Sequence, residues 1–394
     1  MFKHVFFSAP HRLMFAGGAI QLLAAMVLWG WVLAGRNFGV PVIDLPWPPT
    51  WVHAGLMVFG IFPWFIFGFL MTALPKWMGA GPLAFRQYVP SFLLLATGWT
   101  VFYMGFAWPA LGPVGLVLAS VGWLWGALSL GEATRGSMND RRHAFAVIAA
   151  LVIGALGLLA YAKALADPDA AWFRGAIEAG LWGCLAPVFF IVLHRMLPFF
   201  TGAVVRPYQP YAPLWALWVM LAAFVGHGLL AAAEAPAWRW LPDIVAAAVA
   251  FNLSSRWGLR AALKVPMVAM LHLGTLWLGA AMALFAVQGL LALFGIAWGG
   301  LMPLHALGIG FFASILIGMS TRVTLGHSGR PIGEDRLAWK LFRGLQVVVV
   351  LRLAGEFAGS LNVFAALAWL LVFGLWVSHY FPMYLRPRPD GQPG

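Results

Sequence analysis

Histidine is rare in apolar sequence long enough to cross a membrane, and this chain holds several such histidines. His305 sits in the run Met302-Pro303-Leu304-His305-Ala306. No charge follows until Arg322, and Gly326-His327-Ser328-Gly329-Arg330-Pro331 closes the stretch. At ~1.5 Å of rise per residue, His305 to His327 spans roughly 33 Å, about the hydrocarbon thickness of a bilayer. One histidine is therefore predicted near each membrane face. An imidazole facing lipid loses its water partners and gains nothing, so it marks a ligand, a proton carrier or a bonded bundle residue. His53, His194, His227 and His272 occupy comparable apolar surroundings, with Glu178 and the pair Arg352 and Glu356.

The elements that must position these groups follow from composition. The chain has 394 residues, 62% hydrophobic and 9% charged, with 22 tryptophans. The mean hydropathy is +0.87. A soluble domain of this length would aggregate with such a surface, so the sequence predicts an integral membrane protein. The only cysteine, Cys184, excludes an intramolecular disulfide, a thiolate zinc site and covalent haem attachment through CxxCH. Any metal must then be held by histidine, carboxylate or methionine.

Apolar runs of about 20 residues recur about twelve times. They cover 13–35, 51–74, 90–110, 112–132, 144–166, 176–200, 212–233, 239–254, 266–294, 300–323, 338–358 and 361–384. The expected fold is all-α, a single transmembrane domain over residues 1–394. Lys3 and Arg12 precede the first run, which is too long for the core of a cleaved signal peptide. With the N-terminus inside, the inner segments carry 19 of the 24 basic residues and the outer ones only Arg36, Lys163, Arg174 and Arg239. Arg352 falls within a run. That asymmetry predicts cytoplasmic N- and C-termini, and it explains the net charge of +12 without nucleic acid.

Topology sorts the polar groups by depth. His53, His227, His305, Glu178, Arg352 and Glu356 fall in the outer half; His194, His272 and His327 fall at the cytoplasmic level. His4, His11, His143 and His379 are expected at or beyond the inner interface, in water. Two histidines at one depth on separate helices are what a bis-imidazole haem site requires, which His53 and His305 satisfy. Arg352 and Glu356, one helical turn apart, either neutralise each other or leave Arg352 to hold a haem propionate. His227 and Glu178 could add a second metal or a proton-delivery group, or be hydrogen-bonded bundle residues.

The run Met319-Ser320-Thr321-Arg322-Val323-Thr324-Leu325-Gly326-His327-Ser328-Gly329-Arg330-Pro331 resembles the signature of the NnrS family. These are integral membrane proteins associated with nitric oxide and denitrification in bacteria. The resemblance continues in Arg195 to Thr201, in Gly68 to Trp77 and in Pro266 to His272. It implies a twelve-helix haem protein of the bacterial inner membrane, reported in the family also to bind copper, that protects against nitrosative stress. Its architecture would be similar to the catalytic subunit of haem-copper oxidases, where histidines on the second and tenth helices hold a haem. The chain departs from the family's His-x-His-Glu-Met by reading His53-Ala54-Gly55-Leu56-Met57. Two candidate copper donors are thereby absent.

The leading expectation is a haem b protein, with one or two haems, that binds nitric oxide; reduction of the gas, with electrons from an unidentified donor, is the enzymatic form of that reading. His53 and His305 are the expected iron ligands and Arg352 the propionate partner. His194, His272 and His327 form a candidate second metal site near the cytoplasmic face. Two readings stand beside it: a multi-pass transporter using the intramembrane histidines and Arg352/Glu356, and a haem-based sensor or assembly factor without turnover.

Overall fold

The computed structural model describes residues 5–333 and 335–391, so Lys3 and His4 lie outside the described residues. Among these the regular structure is helical, with no strand. Where lipid replaces water, backbone groups must bond within their own segment, and a continuous helix does this. We label twelve long helical segments: α1 Pro10–Phe38, α2 Pro49–Trp77, α3 Phe85–Met104, α4 Leu111–Thr134, α5 Arg142–Ala166, α6 Ala170–Val204, α7 Leu214–Ala232, α8 Trp240–Arg256, α9 Pro266–Leu293, α10 Met302–His327, α11 Arg336–Ala354 and α12 Leu361–Leu385. Each expected apolar run overlies one of them.

Nine of the described helices are long and apolar enough to cross a membrane. The other three are α3, α8 and α11. Helix α8 has only 17 residues, and α11 carries Arg336, Lys340, Arg343 and Arg352. Helix α3 stops at Met104, short of the expected 110, because the chain turns at Gly105 while Phe106, Ala107 and Trp108 keep the sequence apolar. Hydropathy continues past a helix end when the turn itself is apolar.

Burial separates core from rim. The most apolar window is 89% buried in α2 and 78% in both α6 and α10, against 33–56% in the other six candidate spans. Leu128, Leu229, Val350 and Leu371 point outward, as a lipid-facing rim requires. The three core helices meet through Phe62, Phe189 and Phe312. Their ring centroids stand 5.6, 5.5 and 4.9 Å apart, one ring from each helix. Around them α1 packs on α12 and α2, α4 on α5, and α8 on α9, so the end of the chain closes against its beginning.

Each core helix also opens into a wide π-helical turn at the same end: Leu56–Ile61, Ala179–Leu185 and Ala306–Ala313. Pro63 and Pro187 explain the first two. A proline has no N–H for the carbonyl four residues earlier, here Phe59 and Gly183, so the ladder slips outward. In α10 the loosening falls on the glycine-rich Gly308-Ile309-Gly310. The turns begin directly after Glu178 and His305, and His53 lies one turn before the first. Glu178 to Arg195 and His305 to Arg322 are both 17 residues apart. The first two turns pack against each other, which puts them at one level of the core.

Helices α3 and α4 cross at Gly98 and Gly115. A Cβ on Gly98 would stand 2.5 Å from the Ala119 amide nitrogen and 2.6 Å from the Gly115 carbonyl oxygen. These obstacles are backbone, which cannot rotate away. Gly98→Leu is therefore expected to wedge the pair apart at a cost of about 1–3 kcal/mol, with the Ala119 Cβ, 2.8 Å from the added Cβ, a further obstacle. A lowered thermal midpoint in detergent, with Ala119→Gly added to relieve part of it, is the expected result.

Candidate functional site

At the end of the bundle that carries the π-helical turns, α2 contributes His53 and α10 contributes His305. Trp29 of α1 stacks on the His53 ring with centroids 4.0 Å apart and planes at 13°. The guanidinium carbon of Arg36 lies 5.3 Å from the Trp29 ring centroid. His305, Arg352 and Arg36 are all within electrostatic reach of His53, and Arg352 and Glu356 within reach of His305. The two histidines and Arg352 thus share one site. Arg352 Nη1 donates to Glu356 Oε1 at 2.7 Å. Glu356 in turn lies against Gly300, whose φ of +49° and close approach leave no room for a side chain.

The two imidazoles are held differently. His305 Nδ1 lies 2.9 Å from the Leu301 carbonyl. A carbonyl only accepts, so Nδ1 carries the proton and Nε2 presents a lone pair, the form that ligates a metal. His53 has no such anchor: its Nδ1 is buried without a protein partner, and stacking alone fixes the ring. Both rings are half-buried. Gly308, one turn beyond His305 in α10, has nothing within 4 Å of where a Cβ would stand. A free imidazole nitrogen, a second unpartnered one, nearby guanidiniums and an open glycine face are compatible with a flat anionic macrocycle.

Gly55, the position at which the resemblance implies a second histidine, is closed off. A Cβ there would overlap the ring of Tyr161 from α5. The Tyr161 hydroxyl donates to the Trp51 carbonyl at 3.1 Å. A donor side chain at position 55 would require Tyr161 to move, so the space next to His53 holds no copper ligand from that position.

The remaining predicted residues go elsewhere. His227 of α7 bonds through Nδ1 to Asp243 Oδ1 of α8 at 2.6 Å, and both side chains are buried. Trp182 covers the His227 ring at 3.8 Å, and Arg239 lies within reach of His227, Asp243 and Glu178. At the opposite end, His194, His272 and His327 do not form one centre. His194 Nε2 donates to the Pro213 carbonyl at 3.1 Å, so its Nδ1 accepts from His143 Nε2 at 3.0 Å. His272 bonds Thr201 at 3.0 Å, and the His327 ring lies 4.6 Å from that of His11. Among the described residues, no three His, Cys, Asp or Glu side chains are grouped so as to hold a metal ion. His11 and His143, expected in water, are buried; partner helices cover them, which a depth assignment cannot foresee. His379 is exposed as expected.

Sequence reasoning missed Trp29 and Arg36. A signal for Arg36 existed: it is one of the few basic residues on the predicted outer side, where arginine is disfavoured unless something there uses it.

Between α1, α2, α6 and α10 lies an apolar cavity of about 50 Å³, lined by Phe15, Phe65, Phe189, Val192, Ile315 and Met319. Its lining is almost wholly apolar, and it lies on the far side of the Phe62, Phe189 and Phe312 rings from His53 and His305.

Apolar crossing helices around a three-helix core, with two histidines and a guanidinium converging at one end, define a polytopic helical membrane protein with a candidate cofactor site. The chain belongs to the NnrS family: the family's sequence profile, described as NnrS protein, matches residues 5–388. No curated protein matches the chain.

Proposed function

We propose that this chain is a haem b protein of the bacterial inner membrane that binds nitric oxide at the His53/His305 end. The carrying observation is the convergence of His53, His305 and Arg352, with the His305 Nε2 lone pair freed by its bond to Leu301. Twelve crossings with cytoplasmic termini fit the distribution of basic residues, and this puts the site in the outer half of the bilayer. The buried α2, α6 and α10, with the last helix packed on the first, are compatible with a likeness to the catalytic subunit of haem-copper oxidases.

A bound haem supplies a one-electron redox centre and an iron that takes a gas when one axial position opens. His305, anchored by its hydrogen bond, would be the fixed ligand, and His53, held by stacking on Trp29, the more mobile one. Arg352 and Arg36 would hold the propionates. Tyr161 fills the space beside Gly55, where a further metal ligand from the second helix would have to stand. Turnover would need a second open metal. The reading is therefore of gas binding, with reduction or sensing decided by whether reduced protein consumes nitric oxide.

Optical spectra of purified protein test this, oxidised and dithionite-reduced, with and without nitric oxide. A sharp reduced α-band that shifts with nitric oxide is the expected result. Arg352→Gln is expected to keep the band but weaken haem retention about tenfold, since it removes a charge-assisted bond to a carboxylate. Haem titration followed by absorbance checks it. The buried His227–Asp243 pair beside Glu178 and Arg239 favours the transporter as second reading, because unpaired intramembrane polar groups mark ion paths. A colourless protein after haem-supplemented expression selects it.

A further inference from the structure

Opposite the His53 site, four cations and two imidazoles meet at the ends of α1, α2, α10 and α12. His11 of α1 and His327 of α10 stand with rings 4.6 Å apart. His11 is only 2% exposed, and its Nδ1 has no protein partner. Its neighbour Arg12, also 2% exposed, spends Nη1 on the carbonyls of Met383, Tyr384 and Arg386 at 3.1, 3.2 and 2.9 Å. Its Nε remains buried and unpartnered. Lys76 lies within electrostatic reach of both histidines, Arg388 of His327, and both Arg330 and Arg388 of Arg12.

Among the described residues, one carboxylate is paired with these cations. Asp390 pairs with Arg388 through bonds of 2.9 and 2.5 Å. Among the described residues, no other carboxylate forms an ion pair with these four cations. The Arg388 head lies over Gly329, where a Cβ would stand 3.1 Å from its Nε and Nη2, so the loop is bare where the guanidinium rests. Like charges gathered around buried unpaired donors repel one another unless an anion joins them.

We propose that this cluster is a binding site for a phosphate-class oxyanion, presented by the headgroup of an anionic phospholipid or as free phosphate. Arg330 and Arg388 offer planar forks suited to phosphate oxygens, and Lys76 adds a mobile point charge at the rim. With the termini cytoplasmic, as the function proposed above has them, the cluster faces the anionic leaflet. Basic pockets between helices at that level take acidic headgroups. The site needs no haem, so it stands or falls separately from the cofactor.

Native mass spectrometry of the full-length protein tests it, with phosphatidylglycerol or phosphatidylcholine added, alongside calorimetry with inorganic phosphate. Lys76 is exposed and Arg330 half-exposed, so Lys76→Gln/Arg330→Gln leaves the fold intact, which gel filtration verifies. About tenfold weaker phosphatidylglycerol binding in that variant is expected. The charge-matched Arg260→Gln/Lys264→Gln variant, altered in another loop, keeps wild-type binding. Phosphatidylglycerol that inorganic phosphate does not displace assigns a lipid headgroup; displacement, with phosphate binding in the absence of lipid, assigns free phosphate. Equal losses in both variants, no loss in the first, or equal retention of phosphatidylcholine overturns the site.

Discussion

Replacing His305 with alanine is expected to give a folded protein that has lost its reduced α-band. The reason lies in how the ring is held. His305 Nδ1 donates to Leu301, so Nε2 is fixed in both protonation state and direction before any metal arrives. Bonds of this kind, from the far side of an imidazole, typically contribute 10–100-fold to metal affinity. Removing the ring deletes ligand and orientation together, and iron cannot recruit a replacement, because no third His, Cys, Asp or Glu is grouped with the pair among the described residues. His53→Ala should differ. With the stacked, unanchored ligand gone, a haem held by His305 and the two arginines would stay bound with one axial position open. Its spectrum should move toward a high-spin form, and it should bind nitric oxide faster than wild type. The pair of spectra is decisive: identical spectra for His305→Ala and wild type would remove His305 from the site. Equal loss of pigment in both variants would show that the two histidines hold the iron equally.

The second large effect is expected at Asp243, far from that site. The carboxylate and His227 are both buried, bonded at 2.6 Å under Trp182, with Asp243 Oδ2 unpartnered. Asp243→Ala strands a buried imidazole and should cost about 3–5 kcal/mol, the range for breaking one side of a buried pair. Replacing both partners with apolar groups of similar size, as in His227→Phe/Asp243→Leu, should recover most of that loss, because neither buried polar group is then left unpaired. Thermal unfolding of the singles and the double in one detergent measures the coupling. The outcome also bears on function. If the double variant is stable and still binds haem and nitric oxide as wild type does, the pair is structural. If it is stable yet transport of an ion is lost, the transporter reading gains the residues it needs.

Much of the architecture was legible before any fold was known. Apolar runs separated by polar breaks gave a helix for each expected crossing, because a backbone in lipid has no alternative to bonding itself. That His53 and His305 fall near the same end of their helices was equally legible, since position along a rod of fixed rise is arithmetic. What sequence could not supply was azimuth and neighbour. Depth alone grouped His194, His272 and His327, yet their helices face His143, Thr201 and His11 respectively. It also sent His11 and His143 into water, although other helices bury them. The π-helical turns escaped notice because their causes, Pro63 and Pro187, read locally as kinks and show their common level only when α2, α6 and α10 are set side by side.

Consecutive residues alone were enough for an all-helical membrane protein of the NnrS family and for the placing of each histidine along its own helix. These follow from hydropathy, helical rise and local motif, all of which are properties of consecutive residues. The tertiary structure alone decided that His53 lies within electrostatic reach of His305 and Arg352, that Tyr161 closes the space beside Gly55, and that His11, Arg12, Lys76, His327, Arg330 and Arg388 gather at one end. Those partnerships join residues up to hundreds of positions apart. They are set by which helix faces pack, through contacts such as Gly98 on Gly115 and the Phe62, Phe189 and Phe312 triangle, and no periodicity along the chain encodes them.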